Sequence, residues 1–329
     1  MIDRGGVNIF SIKDSSDFRD TAIKIFLHQH ENNPVYRAFC DFLHVDATAI
    51  KNPDEVPFIP VELFRNHIIL TDGERIETIF ESSGSTGTMP SKHYVNDLSL
   101  YERSFFNCFN LFYGDPSEYV ITALLPSYLE RSGSSLVYMV DRLLAMTGSS
   151  LSGFYRNNPK ALIEAIGEAK RIKQKILLIG VSYALLDLAE QFSPDLSGVI
   201  VMETGGMKGR RKEVTREELH ETLKRNLNIN NIHSEYGMTE LLSQAYSSGN
   251  GIFYCPPWMK VMIRDPQDPL AIITEPGRTG GINIIDLANI NSCSFISTGD
   301  LGKLHEDGGF EVLGRFDYSD VRGCNLMAE

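Results

Sequence analysis

Residues 82–88 read Ser82-Ser83-Gly84-Ser85-Thr86-Gly87-Thr88. Thr78-Ile79-Phe80 just before them has the texture of a strand, and Asn96-Asp97 after them can cap an apolar helix reaching about Phe112. Glycines let successive backbone N–H groups face one concavity, and hydroxyls add further donors. A strand, this loop and a helix in that order therefore suit a phosphate. No Gly-Lys-Ser/Thr follows at Walker spacing, so this is not a P-loop. Taken alone, the stretch reads just as well as a polar surface loop.

Upstream, Ser15-Ser16-Asp17 precedes Phe18, Ala22, Ile25 and Phe26, one face of a capped helix. Val35 to Leu43 reads as another helix. Residues 51–60 hold Pro53, Pro57 and Pro60 and are expected to lack regular structure. Downstream, strands and helices alternate. Tyr119 to Leu125, Ile176 to Gly180 and Val199 to Met202 are apolar runs typical of buried parallel strands. Pro159 opens a helix to about Arg171, and Thr215-Arg216-Glu217-Glu218 is a capping box opening one to about Asn226. From Trp258 short strands are expected at 259–264, 281–286, 293–297 and 310–314. The chain thus divides into a helical start and α/β core (1–257), a β-rich subdomain (258–315) and a hinge and tail (316–329).

The 31 basic and 43 acidic residues leave a net charge of −12. Bulk electrostatics then disfavours nucleic acid and anionic membranes, so any phosphate must be held by a local site. No apolar window is long enough to predict a membrane span, and Met1 to Gly6 lacks the apolar core of a signal peptide. Cys40, Cys108, Cys255, Cys293 and Cys324 are odd in number and scattered, which argues against a disulfide framework or zinc ribbon and fits a reducing cytoplasm.

Two further stretches carry chemistry. In Tyr236-Gly237-Met238-Thr239-Glu240 a hydroxyl sits beside a carboxylate, as a phosphate–magnesium pair requires. Alone it reads as a strand-to-helix turn. Ser297-Thr298-Gly299-Asp300 is followed by Gly314-Arg315-Phe316-Asp317. An aspartate can accept from both ribose hydroxyls, and an arginine can donate to sugar or phosphate. Separately, Gly299-Asp300 and Asp307-Gly308-Gly309 read as hairpin turns.

In this order and spacing, the motifs resemble the adenylate-forming superfamily over roughly residues 57–323. Four other segments are similar to the acyl-protein synthetase family, named for the fatty-acid-activating enzyme of bacterial luminescence: Pro57 to Phe64, Leu125 to Arg131, Glu203 to Lys208 and Ser319 to Cys324. The resemblance implies an α/β fold of mixed and parallel sheets covered by helices, with a smaller β-rich subdomain. It implies an ATP- and Mg2+-dependent ligase that activates a carboxylic acid, of fatty type, as acyl-adenylate and passes the acyl group to a protein thiol. Ser83, Ser85, Thr86 and Gly87 would grip the β- and γ-phosphates. Thr239 would touch the α-phosphate and Glu240 would hold magnesium. Gly205, Gly206, Glu235 and Tyr236 would flank the adenine, Asp300 and Arg315 the ribose, and Asp317 would be the hinge. Leu125 to Tyr128 and Arg131 to Ser135 would lie near the acyl pocket, whereas Phe105, Phe106 and Phe109 read as core.

Cys324 stands where the luminescence enzymes carry the acyl group on a thiol, and Arg322 would favour its thiolate. The other cysteines read as structural. Only 14 residues follow Arg315, so the family's lysine-bearing C-terminal domain is expected to be absent or very short. An acyl-CoA reductase or a carrier protein would be the partner. Two other readings stay open: an acyl- or aryl-CoA ligase resembling phenylacetate–CoA ligase, and a non-catalytic nucleotide-binding subunit.

Overall fold

The computed structural model describes residues 8–71, 73, 75–82, 89–126, 130–205, 211 and 214–316. The chain opens with α1 (Ser15–Asn32) and α2 (Pro34–Phe42), then β1 (Ile59–Pro60) and the one-turn α3 (Leu63–Asn66). A hairpin follows, β2 (Thr78–Glu81) and β3 (Lys92–Val95), then α4 (Leu98–Tyr113). An alternating stretch comes next: β4 (Tyr119–Leu124), α5 (Ser135–Thr147), β5 (Gly153–Phe154), α6 (Pro159–Arg171), β6 (Lys175–Val181), α7 (Ser182–Gln191), β7 (Ile200–Thr204) and α8 (Arg216–Leu227). Then come β8 (His233–Tyr236), β9 (Ala245–Ser247), β10 (Ile252–Phe253), β11 (Met259–Arg264), β12 (Ile272–Ile273), β13 (Gly280–Asp286), β14 (Phe295–Leu304) and β15 (Phe310–Arg315).

Two large sheets result. One runs β5-β4-β6-β7-β8-β9, parallel up to β8 and closed by antiparallel β9. Its central strands are apolar on both faces, because helices cover both: all six β4 residues are buried, as are six of seven in β6. The other sheet runs β10-β15-β14-β13-β11-β12, antiparallel, with β1 joined parallel to β14. The short β2–β3 pair stands apart.

Helix boundaries follow the cap chemistry. Asp97 caps α4 through Leu100 N, and Thr215 and Glu218 cap α8 reciprocally. Asp14, one residue before the expected serines, caps α1 by accepting from Ser16 N and Asp17 N.

Three expectations need correction. Residues 51–60 are not wholly irregular: Ile59 and Pro60 pair with Ile296 and Ser297. Proline is tolerated at this strand end because the ladder continues through Val61 N, which donates to Ser297 O at 2.9 Å. Gly299-Asp300 is not a hairpin turn but lies inside β14, with Asp300 opposite Arg315; the turn falls at Asp307-Gly308-Gly309 instead. Tyr236 to Glu240 leads not to a helix but back into antiparallel β9.

The two sheets and the helical start share one apolar core. Polar ties fix their relation. The Gln29 amide of α1 donates to Asn289 O (2.8 Å) and Ile290 O (3.0 Å) and accepts from Ser294 N (3.0 Å), wholly buried. Asn33 donates to Ser292 O at 2.9 Å. Arg216 of α8 donates to Val312 O of β15 and lies over the Phe253 ring of β10.

Because Gln29 satisfies buried carbonyls that have no water to turn to, Gln29→Ala should cost about 2–4 kcal/mol. Urea denaturation would show this as a lower midpoint with an unchanged slope. A shift below about 0.5 kcal/mol would mean that solvent replaces the amide.

Candidate functional site

The carboxyl ends of β7 and β8 share one edge of the parallel sheet, where α/β folds place ligands. At the end of β7, Gly205 has φ +65°, a left-handed conformation that glycine adopts freely, and its carbonyl accepts from Ser182 Oγ at 3.0 Å. Ser182 also reaches Glu203 Oε2, so α7 starts pinned to β7. Thr204 Oγ1 donates to Glu235 Oε2 across β7 and β8. A Cβ at Gly237 would come within 2.5 Å of Glu235 Oε1, so any larger residue there would displace that carboxylate.

Tyr236, the last residue of β8, donates through its hydroxyl to Asp300 Oδ2 at 2.8 Å. Asp300 Oδ1 lies 3.5 Å from Arg315 Nε, its cross-strand partner. The Arg315 side chain is 88% exposed against 13% for Asp300, so this ion pair adds little stability and leaves the guanidinium free to meet a ligand. Burial pushes the Asp300 carboxyl up, against the pull of Tyr236 and Arg315. Burial and the Asp300 charge together hold the Tyr236 hydroxyl well above the usual phenol range. Beneath them Arg264 is buried and donates to Ile282 O, Asn283 Oδ1 and Thr298 O, clamping β11, β13 and β14 behind Asp300.

Glu240 is 5% exposed. Burial raises its pKa, opposed by a hydrogen bond with the Ser91 side chain and by the charges of Arg315 and Arg65. Its backbone carbonyl accepts from Asn289 Nδ2 at 2.8 Å. The preceding carbonyl, of Thr239, accepts from His93 Nδ1 at 2.9 Å, so that nitrogen carries the proton. Ser82 and Ser91 clamp the ends of the expected phosphate loop: Ser82 N donates to Ser91 O at 3.0 Å and Ser91 N to Ser82 Oγ at 2.9 Å. Through Ser91, the foot of that loop therefore touches Glu240.

The structure thus gathers Glu235, Tyr236, Thr239, Glu240, Asp300 and Arg315 at one edge, with Gly205 on the neighbouring strand. Ser83, Ser85, Thr86, Gly87, Gly206, Asp317 and Cys324 lie outside the described residues. Phe105 and Phe109 are buried in the core, and Phe106 is half-buried. Burial raises the thiol pKa values of Cys40, Cys108, Cys255 and Cys293, which leaves them unreactive. Sequence reasoning read His93 as a hydrogen-bonded scaffold group, which its bond to Thr239 O bears out, but missed Arg264 and Asp286. Each is a polar residue inside an apolar strand pattern, which signals a buried contact but not its partner.

Magnesium suits this donor set. It binds through one or two carboxylates plus substrate phosphates, and Glu240 is a buried carboxyl beside the phosphate-loop foot, without a closely bonded cation of its own. No cluster of three or more acidic, histidine or cysteine ligands exists among the described residues.

Residues 9–105 match the family described as acyl-protein synthetase, LuxE. A long-chain-fatty-acid–luciferin-component ligase of Vibrio harveyi is 22% identical over 99% of this chain and 91% of its own length. Among solved structures, a 2-hydroxyisobutyryl-CoA ligase in the postadenylation state aligns with a TM-score of 0.65, at 13% identity, over 92% of this chain and 68% of that one. ATP-bound MatB from Rhodopseudomonas palustris aligns at 0.56, with 16% identity, over 73% and 48%. The chain spans about half the length of that structure. The fold is that of the adenylate-forming enzymes, and residues 9–105 are similar to the acyl-protein synthetases.

His93 is buried, which depresses its pKa to about 4 from the ordinary 6.5. The unfolded chain binds the proton more tightly between those values, so the stability is intact above pH 6.5 and is lost as pH falls towards 4. The difference is roughly 3 kcal/mol. In urea titrations His93→Asn should show a shallower decline than the parent over this range; parallel curves would refute a neutral buried imidazole.

Proposed function

For a chain with an acyl-protein synthetase segment on an adenylate-forming fold, we propose an ATP-dependent ligase that activates a carboxylic acid as its acyl-adenylate and transfers the acyl group to a protein thiol. The observation that carries this reading is the convergence of Tyr236, Glu240, Asp300 and Arg315, which come from separate motifs. Asp300 keeps a fixed orientation because Tyr236 occupies one carboxylate oxygen, and its remaining lone pairs suit ribose hydroxyls. Exposed Arg315 reaches the same sugar or the α-phosphate. Thr239, its carbonyl held by His93, offers its hydroxyl to the α-phosphoryl oxygen. Glu240 would hold Mg2+, which when bound neutralises charge on the phosphates. The Ser83 to Gly87 loop would grip the outer phosphates from the clamp at Ser82 and Ser91.

The reaction joins a substrate carboxylate oxygen to the α-phosphorus and expels pyrophosphate. A thiolate then displaces AMP from the acyl carbon. We assign Cys324 as that thiol, on its sequence setting. The curated relative acts on long-chain fatty acids by its name, which supports an aliphatic acid here.

Pyrophosphate–ATP exchange that depends on an added acid tests the first step. Glu240→Gln should lower it about 100-fold and Asp300→Ala should raise the KM for ATP about tenfold. Radiolabelled acid should stay on denatured protein and be released by hydroxylamine, and Cys324→Ser should abolish that label. Thioester formation with free coenzyme A would instead mark a CoA ligase. Nucleotide binding without exchange for any acid would mark a non-catalytic subunit.

A further inference from the structure

A cavity of about 370 Å3 opens beside the nucleotide cluster without including any of its residues. Leu125 follows β4, Arg156 follows β5 and Val181 ends β6, so the cavity sits over the carboxyl ends of these strands. Glu235 and Tyr236 end β8 on the same edge, two to four strands away, about 10–19 Å at the usual strand spacing. Hydrogen bonds to backbone carbonyls join the two places. Gly133 O, in the loop before α5, accepts from Glu81 N at 2.7 Å, at the root of the phosphate hairpin. Ser182, between lining residues Val181 and Tyr183, holds Gly205 O.

Arg131 and Arg156 both line this cavity, and each is half-buried. Neither makes an ion pair or side-chain hydrogen bond among the described residues. This is unusual in a chain with twelve excess negative charges, where a carboxylate partner is easy to supply. Glu130, the acid among the described lining residues, accepts from Asn157 Nδ2 at 3.4 Å. Two half-buried guanidiniums in one cavity repel each other and lose hydration; an oxyanion between them reverses both costs through charge-assisted hydrogen bonds. The amino end of α5, which contributes Leu136 and Val137 to the wall, adds a favourable dipole. These two side chains and Val181 also give the cavity an apolar wall, suited to a short carbon segment leading to that anion.

We infer that this cavity binds a carboxylate or phosphate group carried by the acyl donor or the thiol acceptor, not by the nucleotide. The inference rests on the ligase reading for the identity of those two substrates. Binding involves no bond making.

The test compares the parent with Arg131→Ala, Arg156→Ala and the double variant. If the anion belongs to the donor, exchange favours adipate over hexanoate. The variants then raise the KM for adipate about tenfold or more and leave hexanoate unchanged. If it belongs to the acceptor, exchange is unaffected, and transfer to 4′-phosphopantetheine loses about tenfold in KM while transfer to pantetheine does not. The double Lys variant restores part of either effect. Equal KM values for all four compounds in parent and double variant overturn the inference. If no acid supports exchange, the ligase reading fails on its own, and calorimetry still decides the cavity. Binding of adipate or inorganic phosphate that the double variant weakens about tenfold supports it; equal or absent binding overturns it. Should the double variant not fold, Arg156→Ala alone carries the comparison.

Discussion

The buried carboxylate of Asp286 holds the two sheets in one register. It ends β13 and accepts from Leu242 N (2.8 Å), Ser243 N (2.9 Å), Ser243 Oγ (2.6 Å) and Ala288 N (3.1 Å). The first three belong to the segment that carries Thr239 and Glu240. A carboxylate so buried is costly to ionise, and burial does raise its pKa; the four donors are what make the charge tolerable. The bonds of Asn289 to Glu240 O (2.8 Å) and of His93 to Thr239 O (2.9 Å) hold the same segment from its other side. Trp258 adds to the anchor by donating to Ser243 Oγ and Ser104 Oγ, so α4 is drawn into the same arrangement.

The site is therefore a seam. The parallel sheet contributes Gly205, Glu235 and Tyr236 from strand ends, and the antiparallel sheet contributes Asp300 from the interior of β14 and Arg315 from the end of β15. A strand end can present an exposed backbone, whereas a paired strand fixes two side chains directly opposite each other. Each sheet supplies what its geometry does best.

Much of this was legible in the sequence. Apolar runs gave β4, β6 and β7 because strands buried on both faces need no polar alternation, and Thr215 to Glu218 gave α8 because its cap is a local hydrogen-bond pattern. The motif order gave the converging residues. What failed were places where tertiary pairing overrides local habit. Gly299 punctuates a chain only if no partner strand is available, and here β13 and β15 flank it. Ile59-Pro60 needed β14, more than two hundred residues away, to become a strand. The Tyr236-to-Glu240 segment turned back into a strand because Asp286 supplied the donors' partner that a helix would have supplied locally. Arg131 and Arg156 were equally invisible as a pair, since only the β5-β4-β6 order makes them neighbours.

The serine pair at the root of the β2–β3 hairpin has a thermodynamic corollary. Ser91 bonds Ser82 with its backbone, and its side chain lowers the proton affinity of Glu240, so one residue is party to both the hairpin's closure and the carboxylate's ionisation. Any occupant that tightens the hairpin must change the proton affinity of Glu240, and any cation that settles on Glu240 must feed back on the hairpin by an equal free energy. Nucleotide and metal would then load cooperatively, with a single hydroxyl as the messenger.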